Sequence, residues 1–497
     1  MSDARGWISP STGTPWFVVV GLEVHCQLAA PTKLFCACRP QFGAEPNTRV
    51  CAVCSAQPGA LPTASKDALR LAVRAGLALS CEIAPRTRFA RKHYFYCDLP
   101  KGYQISQDES PFCRGGGLTL GSGRRVRLQR IHLEEDAGKA IHDRGTDTLV
   151  DLNRAGIPLI ESVTEADIAS ADEAVEFLEA LKEILQHAGV SNCDMEKGEL
   201  RCDVNISVHR AGEPWGAKVE VKNLNSFRFV HAAIEHEIAR QVAALESGDP
   251  ARRIVQETRL WDPDKHATRS MRRKEGAADY RYLPEPDLPE VELDAAFVEG
   301  ERARLAPPPA ERRARWMGEW RVAAKDAAAL AATRRLADWF EAVVRAGAPG
   351  KEAASFVLNE LPKALAEAGA QGGVEDLGAE LESSQLLPRH VAELLRLAAA
   401  GEIGNAGARA ILAALARSGG EAGALVDALG VRLVRDTAQV EAWCREALVG
   451  RDKVVADVRA GKDAAVNALL GPVLKLAGGK ADASFVRETL LRLIREG

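Results

Sequence analysis

The chain has 497 residues, of which 46% are hydrophobic and 27% are charged. This composition is typical of a globular protein and excludes a largely disordered chain. The length is enough for about two to four domains, each with its own hydrophobic core. The formal net charge of −4 excludes a strongly basic nucleic-acid-binding protein, so any contact with RNA must come from local basic patches.

The first fifteen residues are rich in Ser, Thr, Gly and Pro and lack the basic and apolar regions of a signal peptide. We predict that residues 1–15 form a disordered leader. No apolar run in the chain approaches the length of a membrane span. The 11 cysteines follow no secretory signal, which favours thiols or metal ligands over disulfides. We therefore expect a cytoplasmic protein without a membrane partner.

Alternation of polar and apolar residues predicts strands in the first part of the chain. Glu23, His25 and Gln27 share one face of such a strand, because the residues between them are apolar. The segment 201–208 alternates in the same way, and the next strand carries Lys218, Glu220 and Lys222 on one face. An outer polar face is often an ordinary solvated surface. Mixed acids, amides, lysines and a histidine on neighbouring strands favour a concave polar site instead. The residues sharing the polar face of 201–208 are Arg201, Asp203, Asn205 and Ser207.

The most specific local pattern is a pair of cysteine pairs, Cys36 with Cys38 and Cys51 with Cys54. Two close thiolate pairs separated by a loop can supply four ligands to one tetrahedral zinc ion. A site with four protein ligands has no open position, so it would be structural rather than catalytic. The alternative is four unrelated buried thiols. We predict one structural zinc.

Two further segments carry residue types suited to nucleotide chemistry. The run His132–Asp136 contains three consecutive acids, which are costly to hold together unless a cation neutralises them. Taken alone, this run is more typical of a solvated turn. The run Arg91–Tyr96 interleaves basic and aromatic residues, which can hold phosphates and stack on a nucleobase or form the edge of an aromatic core. No Walker-type loop or Rossmann glycine fingerprint is present.

The composition changes after the proline run Ala306–Pro309. Residues 310–497 are rich in Ala, Leu, Arg and Glu, and their apolar residues recur at helical spacing. We predict a catalytic domain over 16–305 and a helical domain over 306–375. The remaining residues, 376–497, are predicted to form a separate helical tail.

Taken together, the motifs of the chain resemble the B subunit of tRNA-dependent amidotransferases, the GatB family. They stand in the family's order, and with the C-terminal part they cover nearly the whole chain. A departure is Cys97, which stands where proline is usual. The matching motifs are Gly21–His25, Phe42–Asn47, Tyr94–Tyr96, Pro100–Ser106, His132–Lys139, Asp151–Arg154, Arg201–Asn205, Lys222–Phe227, Gln256–Arg259 and Asp279–Tyr282.

This resemblance implies an α+β fold. A cradle-shaped domain with a mixed or antiparallel sheet, similar to glutamine synthetase and carrying the zinc-binding insertion, would precede an all-α domain and a YqeY-like tRNA-binding tail. It also implies a heterotrimer with two partners, an amidase and a small third protein. The B subunit would use ATP with magnesium to phosphorylate the side-chain carboxylate of Glu-tRNA(Gln), Asp-tRNA(Asn) or both. Ammonia that the amidase releases from glutamine or asparagine would then displace the phosphate.

The resemblance also implies roles for individual residues. Glu23, His25 and Glu135 would bind magnesium, although strand parity places Glu134 beside His132 and leaves open which of the two glutamates binds. The residues implied in catalysis are Glu23, His25, Lys92, Glu134, Glu135 and Asp203, and those implied in nucleotide binding are Lys92, Arg201 and Asn205.

Two other functions are compatible with such a chain. One is a non-catalytic scaffold that only binds tRNA within the same complex. The set of clustered acids argues against it, because a pure scaffold has no use for acids that face a polyanion. The other is a freestanding ligase acting on free glutamate, against which the helical tail argues. The sequence leaves open which tRNA is the substrate, which tRNA nucleotides are recognised and which route ammonia takes.

Overall fold

The computed structural model describes residues 6–142, 145–273, 280–368, 377–434, 436–478 and 480–496. It divides into two compact units, Met1–Pro308 and Pro309–Gly497, and the division falls within the proline run. Strands dominate the first unit and helices form the second. A mixed α and β chain with a large sheet is thereby confirmed, whereas the likeness to glutamine synthetase stays a prediction. In the part of the chain described, no helix has both the length and the apolar character needed to cross a membrane.

The strands of the first unit follow one another with short connections and a few helical insertions. Their bounds are β1 (Trp7–Ile8), β2 (Pro15–Gln27), β3 (Glu82–Ile83), β4 (Arg86–Thr87), β5 (Ala90–His93), β6 (Tyr103–Ser106), β7 (Cys113–Arg114), β8 (Gly117–Thr119), β9 (Arg125–Glu135), β10 (Lys139–Ile141), β11 (Leu149–Asp151), β12 (Pro158–Thr164), β13 (Leu200–His209), β14 (Val219–Leu224), β15 (Glu257–Asp262), β16 (Ala267–Arg273), β17 (Leu283–Pro284) and β18 (Val291–Glu292).

In the described residues, three α-helices lie between these strands and a fourth follows them: α1 (Lys66–Ala78), α2 (Ala171–His187), α3 (Phe227–Ser247) and, after β18, α4 (Ala295–Arg302). The first three begin at serines whose side-chain oxygens accept a hydrogen bond from a backbone N–H of the first turn. Such a cap stabilises a helix by about 1 kcal/mol, because it satisfies a donor that has no partner inside the helix. The capping residues are Ser65, Ser170 and Ser226.

The main sheet has the order β16-β15-β14-β13-β2-β12-β9-β7-β3, with β1 and β8 attached beside it. Its pairs are antiparallel except β14 with β15, so the sheet is mixed. The long strand β2 lies at its centre, between β12 and β13. The register places His25 opposite Glu161 of β12 and opposite Arg201 of β13, and it places Glu23 opposite Asp203. Polar residues from three strands therefore meet around β2.

Alternate residues of β2 are buried, as the sequence pattern predicts. Val20, Leu22, Val24 and Cys26 are at most 1% exposed and belong to one core with residues of α1, α2 and α3. Burying one such side chain fully stabilises the fold by about 1.5–3 kcal/mol. The other face of β2 stays half-buried and carries Glu23, His25 and Gln27. One face of the sheet is therefore fixed by packing, which leaves the opposite face available for a site.

The prediction of a disordered leader is wrong for residues 7–15. Trp7 and Ile8 form β1, which pairs with the start of β2 in a tight hairpin. Glu246 near the end of α3 accepts hydrogen bonds from Ser9, Ser11 and Thr12, at distances from 2.6 to 2.9 Å. The Ser and Thr residues of this segment suggested a solvated leader. Their hydroxyls instead hold the hairpin against α3. Residues 1–5 lie outside the described residues.

The second unit consists of helices in the residues described, with bounds α5 (Pro309–Glu319), α6 (Ala324–Leu330), α7 (Arg334–Arg345), α8 (Gly350–Asn359), α9 (Leu361–Glu367), α10 (Leu377–Ser383), α11 (Pro388–Ala399), α12 (Asn405–Ser418), α13 (Ala422–Ala428), α14 (Thr437–Leu448), α15 (Asp452–Arg459), α16 (Asn467–Leu476) and α17 (Ala483–Glu496).

These helices form two hydrophobic cores rather than dividing near residue 375. The first core runs from Trp316 to Val426, and the second from Val440 to Ile494. The predicted boundary at 375/376 lies outside the described residues, but α9 before it and α10 after it contribute to the same core. The hydrophobic core thus changes between α13 and α14, well beyond the boundary that the composition suggests.

Candidate functional site

A cleft of about 570 Å³ opens on the polar side of the central strands. Its walls come from β2, β12, β13 and β14, from β5, and from the segment just before β17. Five of the residues predicted for the site line it, together with Glu161, which the prediction did not include, and with Glu220 and Lys222, which it placed on a polar strand face without a role. The predicted residues that line the cleft are Glu23, His25, Lys92, Asp203 and Asn205.

At one end of the cleft His25, Glu134 and Glu161 form a histidine–carboxylate cluster. One ligand atom from each lies within 4.8 Å of the others. The Nε2 atom of His25 is 3.3 Å from a carboxylate oxygen of Glu161 and 3.8 Å from one of Glu134. His132 approaches both carboxylates from below the surface, with Nε2 at 3.3 Å from each. The two acids are almost fully buried, and they are paired with two imidazoles.

Electrostatics in this cluster favour the charged forms. Burial opposes protonation of His25, yet the hydrogen bond and charge of Glu161 and the charge of Glu134 outweigh it and raise the pKa of His25. The same competition raises the pKa of His132 to about 9. Burial likewise opposes ionisation of Glu134 and Glu161, but the hydrogen bond to His132 keeps the pKa of both below the usual range. The cluster therefore holds two ionised carboxylates, which attract a cation and favour protonation of the two imidazoles.

A second group, the carboxylate cluster, consists of Glu23, Asp203 and Glu220, again with one oxygen from each within 4.8 Å of the others. Lys222 lies against Asp203 and is 3.0 Å from Glu220. Asn205 donates a hydrogen bond of 2.9 Å to Glu23. All three acids are only half-buried. This cluster thus has oxygen ligands only and is more open than the first.

Lys92 lies near the histidine–carboxylate cluster and below an aromatic ring. Its Nζ atom is 5.0 Å from the ring centre of Tyr280. Burial opposes its charge, but the charges of Glu134 and Glu161 outweigh burial and raise the pKa of Lys92. Lys92 is therefore an ammonium group held at the wall of the cleft, as a phosphate contact requires.

Two predicted site residues point elsewhere. Glu135 accepts a hydrogen bond of 2.9 Å from the Ile105 amide and pairs with Lys101, next to a separate cavity. The prediction of Glu135 as the third ligand beside His25 does not fit this geometry, because neighbouring residues of a strand face opposite ways. Arg201 donates to Asp136 at 2.8 Å and is not among the residues that line the cleft.

The residues that the site prediction omitted have recognisable signals in the sequence. Glu161 is the lone charge in the buried strand β12 (Pro158–Thr164), and a charge in a buried strand normally needs a partner. Glu220 alternates with apolar residues in the same way. His132 stands in the motif that supplied Glu134. Only the strand order, which the sequence did not provide, brings these residues together.

The cysteine cluster lies in the loop between β2 and α1. The sulfur atoms of Cys36, Cys38, Cys51 and Cys54 are all within 4.8 Å of one another. A tetrahedral zinc with bonds of about 2.3 Å keeps its sulfur ligands about 3.8 Å apart. Hydrogen bonds from Cys36 and the Cys51 amide and the charge of Lys33 lower the pKa of Cys54 to about 4, against its burial. The cluster therefore has the geometry of one closed metal site.

Comparison with known proteins gives the family. Residues 18–299 match the model of the GatB/GatE catalytic domain, and residues 338–494 match the model of the GatB domain. The B subunit of aspartyl/glutamyl-tRNA(Asn/Gln) amidotransferase from Anaeromyxobacter dehalogenans is 46% identical over 96% of this chain and 98% of its own.

The proteins of the same description from Thermosynechococcus vestitus and Thermodesulfovibrio yellowstonii are 44% and 41% identical. These two alignments cover 96% of this chain, and 96% and 99% of the respective relatives. Identity of this extent runs through both units of the fold and through almost the full length of each relative. The chain therefore belongs to the GatB family of aspartyl/glutamyl-tRNA(Asn/Gln) amidotransferase B subunits.

Proposed function

We propose that this chain is the ligase subunit of a tRNA-dependent amidotransferase. It binds ATP and a misacylated tRNA, Glu-tRNA(Gln), Asp-tRNA(Asn) or both, and transfers the terminal phosphoryl group to the side-chain carboxylate of the amino acid. Ammonia then attacks the acyl phosphate, the carbon–oxygen bond to phosphate breaks, and the amide and inorganic phosphate leave. A carboxylate is a poor electrophile and an acyl phosphate a good one, so this activation is the costly step.

The observation that carries the proposal is the pairing of two acidic clusters in one cleft. Both substrates are polyanions, and bare carboxylates would repel them. Acids in such a cleft are useful when divalent cations bridge them to phosphate oxygens. A scaffold that only holds tRNA would be expected to carry lysines and arginines there instead.

The two clusters fit cations differently. Glu23, Asp203 and Glu220 offer oxygen ligands only, the donor set that magnesium prefers. His25, Glu134 and Glu161 offer one imidazole nitrogen and two carboxylates, and they would hold a divalent cation with His25 as a neutral nitrogen ligand. A bound divalent cation supplies charge neutralisation for the transferred phosphoryl group.

The lysines of the cleft complete the arrangement. Lys92 stands beside the histidine–carboxylate cluster, while Lys222 stands beside the carboxylate cluster. Lys218 lines the same cleft. Ammonium groups at both ends can hold the phosphates in line with the acceptor carboxylate, and such positioning contributes much of the rate in phosphoryl transfer. Arg201, implied earlier in nucleotide binding, instead orients Asp136 outside the cleft lining.

The proposal includes partners and a location. An amidase would release ammonia from glutamine, and a small third protein would complete a heterotrimer in the cytoplasm. The YqeY-like tail would contact tRNA. Because its last core is separate, we assign this role to the residues from α14 onward. The ammonia source is set by the amidase, and the misacylated tRNA that is available is set by the synthetases of the cell.

We also propose that the cysteine cluster holds one structural zinc. Its four thiolates leave no position for a substrate, and Cys36 and Cys54 border a cavity that is separate from the larger cleft. Thiolates are the ligands that zinc prefers in closed sites. Zinc there would fix the loop between β2 and α1.

The experiment is amidation by the complex reconstituted with the amidase and the small third protein, with each misacylated tRNA, ATP and magnesium. Glu161→Gln keeps the shape of the cluster but removes its charge, and we expect amidation and tRNA-dependent ADP formation to fall at least about a hundredfold. Glu179→Gln, an exposed acid on α2, is the matched control. Full activity of the Glu161 variant, or ADP formation with free glutamate in place of tRNA, would refute the proposal.

A further inference from the structure

The tyrosines of this chain are confined to one place. There are five in 497 residues, and all of them lie on or next to the small sheet of β5, β6 and β17. Tyrosine combines a flat apolar ring with a polar tip and suits a surface that is both apolar and wet. No tyrosine is among the fully buried core residues in the part of the chain described, although Tyr103 packs against the core of the first unit. The five are Tyr94, Tyr96, Tyr103, Tyr280 and Tyr282.

Four of these rings form a continuous tyrosine row, in the order Tyr96, Tyr94, Tyr280 and Tyr282. Successive ring centres are 5.9, 6.4 and 6.1 Å apart, and neighbouring rings meet edge to face. Tyr280 and Tyr282 line the cleft, and the ammonium of Lys92 lies against Tyr280. The row therefore starts at the histidine–carboxylate cluster and leads away from it.

The backbone holds the row in place. The His93 N–H donates to the carbonyl of Tyr280 at 2.9 Å, and a ring nitrogen of His93 is 2.8 Å from the carbonyl of Arg281. Leu283 then pairs with Arg91 in the small sheet. The segment that carries Tyr280 and Tyr282 is thus held against β5 by backbone hydrogen bonds, which lowers the entropy cost of binding a flat ligand there.

The outer part of the row is exposed. Tyr96 is 68% exposed and its neighbour Phe95 is 85% exposed, while Tyr280 and Tyr282 are 38% and 37% exposed. Aromatic faces of this size on a surface usually mark a binding site. Successive aromatic rings beside a cation are the arrangement that holds unpaired bases of single-stranded nucleic acid.

We infer that the tyrosine row binds the single-stranded 3′ end of the tRNA by stacking on its terminal bases. This inference rests on the proposed function, and it adds where the 3′ end of the tRNA substrate lies. The adenine of ATP is the other source of an unpaired purine, but a nucleotide offers one base whereas the row extends past the cleft. With the end of the RNA on the row, the esterified amino acid reaches the acids beside Lys92.

The test is the affinity of the reconstituted complex for uncharged tRNA with and without its terminal adenosine. We expect the complex to bind the full tRNA about tenfold more tightly, since one stacked base contributes about that factor. Tyr280→Leu should remove this difference, and Tyr280→Phe should keep it. Phe42→Leu, which changes an exposed ring outside the cleft lining, should also keep it.

Tyr282→Leu serves as a second variant should Tyr280→Leu fail to fold, with melting curves recorded for both. A difference between the two tRNAs that survives both leucine variants would overturn the inference. So would a rise in the KM for ATP with the tRNA difference intact, because the row would then hold the nucleotide. Binding of uncharged tRNA needs no turnover, so failure here is distinct from failure of the ligase proposal.

Discussion

The cysteine cluster and the histidine–carboxylate cluster are both built from metal-ligating side chains, but they are assembled in opposite ways. The four cysteines come from one loop, residues 36–54. His25, Glu134 and Glu161 come from three strands that are neighbours only because of the sheet order. The first can form whenever its loop closes, whereas the second exists only in the folded sheet.

This difference indicates what each cluster does for the protein. A local set of four thiolates is ordered by the metal that it binds, and metal binding should in turn stabilise the folded loop. Side chains on a strand whose other face is packed in the core are already positioned by that packing. They can therefore interact with a charged substrate without losing their position. Disrupting the first should therefore affect folding, and disrupting the second should affect chemistry.

The largest effect is expected from His25→Ala. Losing a ligand and a partner of Glu161 should lower ATP-dependent amidation by about a thousandfold, since several kcal/mol of transition-state stabilisation are lost. The apolar face of β2 is unchanged, so the melting temperature should stay close to that of the unmodified protein. Turnover and melting are measured together, with His209→Ala on β13 as the control. If His25→Ala lowered the melting temperature as strongly as the activity, the histidine–carboxylate cluster would matter for folding as well, and the contrast with the cysteine cluster would be wrong.

Cys51→Ser should give the opposite result. One thiolate less weakens the zinc site, so zinc content should fall from about one ion per chain and the melting temperature should drop. Amidation measured well below that temperature should be reduced much less than in the His25 variant. Cys97→Ser is a matched control, because Cys97 is exposed and outside the cluster. A chain purified without chelator that contains no zinc would contradict the assignment.

The smallest effect on the first unit is expected from removing residues 436–497, which carry the second core of the helical unit. Because that core is separate, the zinc content and the melting of the first unit should not change. The apparent affinity for tRNA should fall, and its salt dependence should become shallower as Lys and Arg contacts to phosphate are lost. Titrations of intact and truncated complexes at two salt concentrations, after assembly is checked, measure both. If the intact and truncated complexes have the same tRNA affinity and the same salt dependence, the tail does not bind tRNA.

The sequence was sufficient where a pattern is local. Alternation in β2 predicted which face is buried, and the cysteine spacing predicted the close approach of four sulfur atoms. The resemblance implied Glu135 as a ligand, while parity along β9 placed Glu134 beside His132 and left the two glutamates open; the structure pairs Glu135 with Lys101. Glu161 on β12 was not identified, and Glu220 and Lys222 on β14 were placed on a polar face without a role, because strand order depends on long-range pairing that no short window encodes.

Lys33 links the cysteine cluster to the rest of the fold. Its side chain is fully buried, and its ammonium lies 3.4 Å from the sulfur of Cys54 and 3.2 Å from the carbonyl of Leu152. Without the thiolate, a buried positive charge would keep only a neutral partner, at a cost of several kcal/mol. The thiolate of Cys54 and the ammonium of Lys33 therefore depend on each other for charge balance inside the fold.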